Sequence, residues 1–376
     1  MRIVIFGGGA NLFGMEQITA RVAHGLRLGG HEVLYLLCGW NDGKLAELLE
    51  EYGVAYEPLK LGRLYKRNVS YNIDTLRHFP RALLRAMSIS QSFRPHVVVC
   101  VAPGFSPLLG WVFGRDKLAL YLHDMPEGDR WDRHIAHWIR KRQVPIIACG
   151  PNVVEKWVSL GVPRDNAYTV VNGIDVREFH GAAAERAQQA INIGMVGQII
   201  PRKGCDLLVG AFGVVLQRAP HARLHIIGEG NGAYADNLRG ATAPLERAGH
   251  VVWRGWVRDK REIFRDLDIV AIPSRSEGFC LTAIEAGAAG LPVVASRIPG
   301  LTEIVVDGET GLLCQADDES EFASALLKLI SDAALRKRVG TAARERVNSN
   351  FTADATVAQF VKALVAISGT RSAEQH

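Results

Sequence analysis

Short apolar blocks rich in Val, Ile and Leu recur along the chain at 2–6, 31–37, 96–102, 117–122, 145–149 and 168–171. Polar, helix-forming stretches such as 15–28 separate them. Apolar blocks of this length, with little internal alternation, read as parallel strands buried on both faces and joined by crossover helices. An Ala/Gln-rich connection at 180–190 interrupts the pattern, which then restarts with strands predicted at 191–196, 223–228, 251–255, 268–272 and 292–296. Surface helices are expected over 319–348 and a last amphipathic helix over 351–367. The pattern predicts an α/β protein of two Rossmann-like, doubly wound domains facing a cleft. The first spans 1–180. The second spans 181–354. Residues 368–376 carry no packing signal and are expected to be disordered.

Composition narrows this little. The 376 residues suffice for two domains, and 48% hydrophobic with 22% charged residues is ordinary for a globular chain. No apolar run of about 18 residues occurs, so no membrane-spanning helix is expected. Met1-Arg-Ile-Val-Ile-Phe-Gly7 enters a strand directly, without a leader pattern. Cys38, Cys100, Cys149, Cys205, Cys280 and Cys314 are scattered and form no C-x-x-C pair. That is the usage of free thiols in a reducing compartment, and neither a disulfide framework nor a metal site is expected. Cytoplasmic placement follows.

Charge changes the picture more. Residues 1–180 hold 22 Lys and Arg against 17 Asp and Glu, and 181–376 hold 22 of each, so the net +5 belongs to the first half. Within it, 60–95 and 131–142 interleave cations with Leu, Phe, Tyr, Met and Trp. Three readings stand: amphipathic helices with solvated basic faces, an interfacial surface for anionic lipid, or a polyanion contact. Stacking platforms and groove-reading motifs are absent, so nucleic acid is not expected.

Candidate chemistry centres on 274–314. Ser274-Arg-Ser-Glu-Gly-Phe-Cys-Leu-Thr-Ala-Ile-Glu-Ala-Gly287 follows a buried strand, opens a helix near Phe279 and returns to a strand at 292–296. Backbone N–H groups of Phe279, Cys280 and Leu281 at that helix start would attract an anion, and Gly278 would let a phosphate approach the backbone. Glu277 and Glu285, with seven residues between them, add hydroxyl acceptors. Phosphate and hydroxyl sites side by side suit a nucleotide-sugar. The Gly7-Gly8-Gly9 turn after the first strand fits a dinucleotide motif only loosely, and no ribose-binding acid ends the second strand. His123 and Asp124 stand at the carboxyl end of a strand, where open α/β sheets bind ligands.

The segment Ser276-Glu-Gly-Phe-Cys-Leu-Thr-Ala-Ile-Glu285, continued through Gly290-Leu-Pro-Val-Val-Ala-Ser296, resembles the E-x7-E unit of retaining, GT-B-fold glycosyltransferases of family 4. The resemblance implies a metal-independent transferase that needs no cofactor beyond its UDP- or GDP-sugar substrate. It implies that Lys203 in Pro201-Arg-Lys-Gly204 holds the donor diphosphate together with Arg202. Gly8, Gly9, Gly278, Phe279, Cys280 and Leu281 would line the donor, as would Trp256 and Val257, whose backbone would meet the base. Glu285 would hold the ribose, Glu277 the transferred sugar, and His123 the region of the reacting carbon. Gly14, Glu16, Gln17 and Asp124 would face the acceptor, and the final helix, 355–370, would return to the first domain. The chain departs from the family at Gln198, where an Arg is usual. Glu303, Gly308 and Gly311 resemble a structural turn after the E-x7-E unit. The basic, aromatic first half suggests a lipid-linked acceptor, as in cell-envelope polysaccharide assembly, with the protein peripheral at the membrane's inner face. Two other classes fit the same fold: an enzyme of different chemistry, such as a nucleotide-sugar epimerase or a phosphorylase, and a non-catalytic nucleotide-sugar-binding subunit, which Gln198 makes conceivable. Oligomeric state is not readable.

Overall fold

The computed structural model describes residues 1–9, 12–61, 69–179 and 190–373. Part of the Gly-rich turn (10–11), of the first basic stretch (62–68), the Ala/Gln-rich connection (180–189) and the tail (374–376) lie outside the described residues.

The chain divides into two compact units, 1–172 with 353–376, and 173–352. In the first, β1 (Arg2–Gly7), α1 (Gly14–Leu28), β2 (Glu32–Cys38), α2 (Lys44–Glu51), β3 (Ala55–Leu59), α3 (Val69–Phe93), β4 (Val97–Cys100), α4 (Ser106–Phe113), β5 (Leu118–Leu122), α5 (Arg130–Arg142), β6 (Ile146–Ala148), α6 (Pro151–Ser159) and β7 (Ala167–Thr169) alternate. Their sheet runs β3-β2-β1-β4-β5-β6-β7, all parallel. The inner strands are buried throughout, Val97 to Cys100 and Leu118 to Leu122 among them, which is why they appear in the sequence as unbroken apolar runs.

The second unit restarts with β8 (Ile191–Val196), α7 (Cys205–Arg218), β9 (Ala222–Ile227), α8 (Ala233–Arg247), β10 (Val251–Gly255), α9 (Lys260–Arg265), β11 (Ile269–Ile272), α10 (Leu281–Ala289), β12 (Val293–Ser296), β13 (Gly311–Cys314), α11 (Glu319–Ser331) and α12 (Ala333–Asn350). Its parallel sheet runs β10-β9-β8-β11-β12-β13. The last helix, α13 (Ala353–Ala373), belongs to the first unit and packs on α1. A Cβ on Gly25 of α1 would lie 2.3 Å from Val357 of α13, so glycine sets the approach of the two helices. The expected disorder from Ser368 onward is not observed up to Ala373. The helix simply continues, with Ser368 Oγ donating to the Leu364 carbonyl at 2.9 Å.

Each sheet reverses its strand order once, between β1 and β4 in the first unit and between β8 and β11 in the second. Open α/β sheets bind ligands outside the carboxyl ends of their strands at such a point. In the second unit two close backbone approaches shape it. A Cβ on Gly228 would sit 1.9 Å from the Gly197 carbonyl oxygen, and one on Gly204 2.0 Å from that of Pro273. Gly204 also holds φ +68°, in the left-handed region.

Candidate active site

The loops after β8 and β11 meet at the reversal point of the second unit. After β8 the chain makes a short 3₁₀ turn, Pro201–Lys203, ended by Gly204. After β11 it runs through Ser274 to Cys280 before α10 begins. Lys203 Nζ donates to Glu277 Oε1 at 2.7 Å, and Ser274 Oγ donates to the same oxygen at 2.7 Å. Arg202 Nη1 lies 3.6 Å from Glu277 Oε2 and donates to the Ser276 carbonyl at 3.1 Å. Glu277 is only 3% exposed and Ser274 1%. Buried ion pairs of this kind seldom stabilise a fold more than apolar side chains of equal volume, because both charges lose their water. A ligand explains the cluster better than stability does.

A second pair lies one turn into α10. Glu285 is buried and accepts from Lys260 Nζ at the start of α9, and that ammonium also stands 5.8 Å from the centroid of the Phe179 ring. Neither Lys260 nor Ser274 was assigned a role from the sequence. Lys260 sits 25 residues before its partner, and only the fold of β10 and α9 brings them together.

The helix that was expected to open near Phe279 begins at Leu281. Cys280 is its N-cap, with extended backbone (φ −90°, ψ 97°), and its carbonyl accepts from Ala283 at 3.1 Å. Phe279 and Cys280 are buried ahead of the helix, Phe279 against the Phe351 ring at 6.0 Å. The first-turn N–H groups without intrahelical acceptors are therefore those of Leu281 and Thr282, with Phe279 and Cys280 in the approach loop. Burial pushes the Cys280 thiol up to about 12, which leaves it protonated and unreactive. At its other end α10 closes on Gly290 (φ +78°), whose N–H reaches the Gly287 carbonyl while Leu291 N–H reaches that of Ala286, a Schellman stop.

Arg275 ties the two loops together. Its Nη1 donates to the Pro201 carbonyl at 2.6 Å and to Asp206 Oδ1 at 2.9 Å, its Nη2 to Asp206 Oδ2 at 2.8 Å, and its Nε to Asp317 Oδ1 at 2.7 Å. Its backbone N–H reaches the Arg202 carbonyl at 2.8 Å. Gln198 is half-buried and its carbonyl accepts from Ile200 at 3.1 Å. Gly278 is buried beside Glu277, while Trp256 (45% exposed) and half-buried Val257 follow the carboxyl end of edge strand β10.

The reversal point of the first unit is built differently. Gly8 holds φ +111°, and a Cβ there would lie 2.9 Å from Leu37. Glu16, the third residue of α1, is 3% exposed and accepts from the Gly9 N–H at 3.0 Å and the Phe13 N–H at 3.1 Å. Burial raises its pKa, those backbone donors pull it back, and the nearby Asp124 charge raises it slightly. Both Glu16 oxygens thus hold the Gly-rich loop, a task that sequence reasoning had not foreseen for it. Gly14 and Gln17 lie half-buried in the first turn of α1, the Gln17 N–H donating to the Phe13 carbonyl at 3.1 Å, and Asp124 is exposed.

His123 follows β5. Its ring packs on Tyr121 with centroids 4.0 Å apart, and its Nε2 is buried without a hydrogen-bond partner. Burial drives its pKa down to about 3, so the imidazole is neutral near pH 7. An orphaned buried ring nitrogen is uncommon, and its simplest use is a hydrogen bond to a ligand.

Comparison with known proteins matches this architecture. A family model described as Glycosyltransferase Family 4 matches 14–178, and one described as Glycosyl transferases group 1 matches 190–332. The chain is 37% identical over 185 residues to a D-inositol 3-phosphate glycosyltransferase of Stackebrandtia nassauensis, covering 44% of this chain and 40% of that one. It is 28% identical over 223 residues to the capsular polysaccharide biosynthesis glycosyltransferase CapM of Staphylococcus aureus, covering 55% and 57%. The matched region thus spans about half the length of these curated relatives. Among solved structures, Anabaena HepE, in complex with UDP and glucose, superposes with a TM-score of 0.80 at 17% identity, covering 96% of this chain and 99% of that one. At that identity the likeness concerns the fold. One glycosyltransferase family domain thus lies over each parallel sheet, family 4 over the first and group 1 over the second, on a fold shared with GT-B glycosyltransferases.

Proposed function

We propose that the chain transfers a sugar, with retention and without a metal ion, from a UDP- or GDP-sugar to an acceptor carried on a lipid. The observation that carries this reading is the buried Lys203–Ser274–Glu277 cluster at the strand reversal of the second unit. In the reaction, the bond from the anomeric carbon to the donor phosphate oxygen breaks, and its electron pair stays on that oxygen. The acceptor hydroxyl oxygen forms the new bond, and its proton passes to the departing phosphate.

The charge that develops on the diphosphate is met by Lys203, by Arg202 and by the N–H groups at the start of α10. This is stabilisation by groups already in place before the reaction. Lys203 would leave Glu277 for the phosphate, which frees that carboxylate for a hydroxyl of the transferred sugar. Glu285 would likewise exchange Lys260 for the ribose hydroxyls. The backbone of Trp256 and Val257 would flank the base. In the first unit, the neutral His123 would offer or accept a hydrogen bond near the sugar without adding charge, the Gly8–Gly9 turn would line the donor, and Gly14, Gln17 and Asp124 would face the acceptor. Retention and metal independence rest on family resemblance together with this cationic donor site. HepE has been captured with UDP and with UDP-glucose, which supports a uridine donor. CapM's role in capsular polysaccharide and the excess of cations in the first half support an envelope-directed, lipid-borne acceptor and a protein peripheral at the inner membrane face.

The test is release of nucleoside diphosphate from UDP-, GDP- and ADP-sugars, with and without chelator and a membrane lipid extract. Release from one donor, raised by the extract and indifferent to chelator, is expected. One observation favours a second reading: Gln198 places a neutral side chain where the family usually has an arginine. Tight nucleotide binding with no release from any donor, in the presence of the extract, would support a non-catalytic binding subunit.

A further inference from the structure

Helix α3 is amphipathic in an unusual sense. Thr75, Ala82, Ala86 and Ile89 form its buried face, none more than 6% exposed. On the opposite face Ile73, Leu76, Pro80 and Leu84, spaced i, i+3, i+7 and i+11, make one continuous stripe. Ile73 is 61% exposed, Leu76 60% and Leu84 66%, and Pro80 is exposed as well. Three branched apolar side chains in one exposed row are more than the scattered apolar residues of an ordinary surface. Helix α5, the other cation-rich helix, differs: Ile135, Ala136 and Ile139 face the core, and Trp131, 51% exposed in its first turn, is a single exposed apolar side chain and not a row.

The stripe is held outward. On one flank Asp74 accepts from Trp40 Nε1 at 2.8 Å and lies 3.1 Å from His78 Nδ1 and 3.8 Å from Lys60 Nζ. About three turns further along the helix, Arg85 makes a two-pronged pair with Glu57 at 2.8 and 3.0 Å. These ties fix the rotation of α3 about its axis, so that the stripe does not turn inward. Beside it run Arg77 and Arg81, both exposed and one helical turn apart. An apolar ridge bordered by cations matches the edge of an anionic bilayer, where side chains enter the acyl boundary and guanidinium groups meet phosphates. A protein partner would have to supply an apolar groove and acidic groups together, whereas a bilayer supplies both without specific fit.

We propose that the Ile73–Leu76–Pro80–Leu84 face of α3, with Arg77 and Arg81, docks the protein on an anionic lipid surface. This deepens the reading of a lipid-borne acceptor by naming the contact, and its test uses no donor, so that the two can fail separately. The full chain is sedimented with vesicles of equal parts phosphatidylglycerol and phosphatidylcholine, and with phosphatidylcholine alone, at about 0.05 M and about 0.5 M salt. Binding is expected to the anionic vesicles only, and to weaken at high salt. L76D/L84D should weaken it at least tenfold, with circular dichroism and melting unchanged because both side chains are exposed. R77Q/R81Q should remove most of the salt dependence while leaving the fold intact. Failure of the wild-type chain to sediment, or equal sedimentation of L76D/L84D, overturns the proposal. So does wild-type self-association in ultracentrifugation that L76D/L84D abolishes, since it would assign the face to a second copy.

Discussion

The two strand reversals share one topology and differ in chemistry. In the second unit, Lys203, Arg202 and Lys260 stand against the buried carboxylates of Glu277 and Glu285. In the first unit, the buried carboxylate of Glu16 is answered by backbone N–H groups of its own loop, and the neighbouring His123 is uncharged. One reversal therefore offers exchangeable cations, which suit a diphosphate. The other offers backbone N–H groups tied to Glu16 and a neutral ring nitrogen, which suit hydroxyl groups. The same fold has become two kinds of site because a loop can be closed either by side-chain charges or by its own backbone.

The largest effects should come from breaking the charged reversal. Lys203→Ala removes the closest cation and is expected to lower kcat/KM about 10²- to 10³-fold, with nucleoside diphosphate affinity falling in parallel by calorimetry. Glu277→Gln should cut turnover by a similar factor while nucleotide affinity stays within a few-fold. Turnover close to wild type would take Glu277 out of the site.

A smaller effect is expected at Arg275, which touches no proposed substrate but holds the Pro201–Lys203 turn to the Ser274–Glu277 loop. Arg275→Met should raise the donor KM by roughly tenfold more than it changes the melting temperature would suggest, since the loss is one of alignment near the reacting groups. Asp206→Asn should behave alike, and the double variant should be less than additive. Additive effects would mean that the two act separately. Smaller again, Lys260→Met should change donor affinity only several-fold, because on the proposed reading its ammonium gives up Glu285 to the ribose. A large loss would instead make Lys260 a direct donor contact.

The smallest effect concerns pH and belongs to the first unit. The folded pKa of His123, about 3, lies below the unfolded value of about 6.5. As pH falls below about 6.5 the unfolded chain binds this proton and the folded one does not, so stability is lost on acidification and is fully present above that range. Urea midpoints for wild type and His123→Asn should converge between about pH 7.5 and pH 5. For the same reason, transfer should show no ionisation of His123 in that window.

Much of this was legible in the sequence. Strands β8 and β10 fall where the apolar runs ended, and most others shifted by one or two residues. Strand β3 was missed because Ala-Tyr-Glu-Pro-Leu is half polar and carries a proline, which only an edge position tolerates. Strand β13, Gly-Leu-Leu-Cys, was hidden inside a Gly-rich turn. The reach of Glu277 and Glu285 was visible from their spacing, since seven intervening residues include one helical turn. Their cations were not equally visible. Lys203 came through resemblance, whereas Lys260 and the Arg275–Asp206 pair depend on which strands are neighbours, and strand order leaves no local trace in sequence. The self-capping of Glu16 was written in its place three residues after Phe13, as in a capping box, but its reach back to Gly9 follows from the left-handed turn at Gly8.

The most direct test of the charged reversal is calorimetric titration of UDP and GDP into the wild-type chain and Lys203→Ala, alongside diphosphate release from the matching sugars. Binding of one nucleotide by the wild type, with both binding and release collapsing in Lys203→Ala, is the result expected. Unchanged affinity and release in Lys203→Ala would contradict the account, and would place the donor phosphates elsewhere.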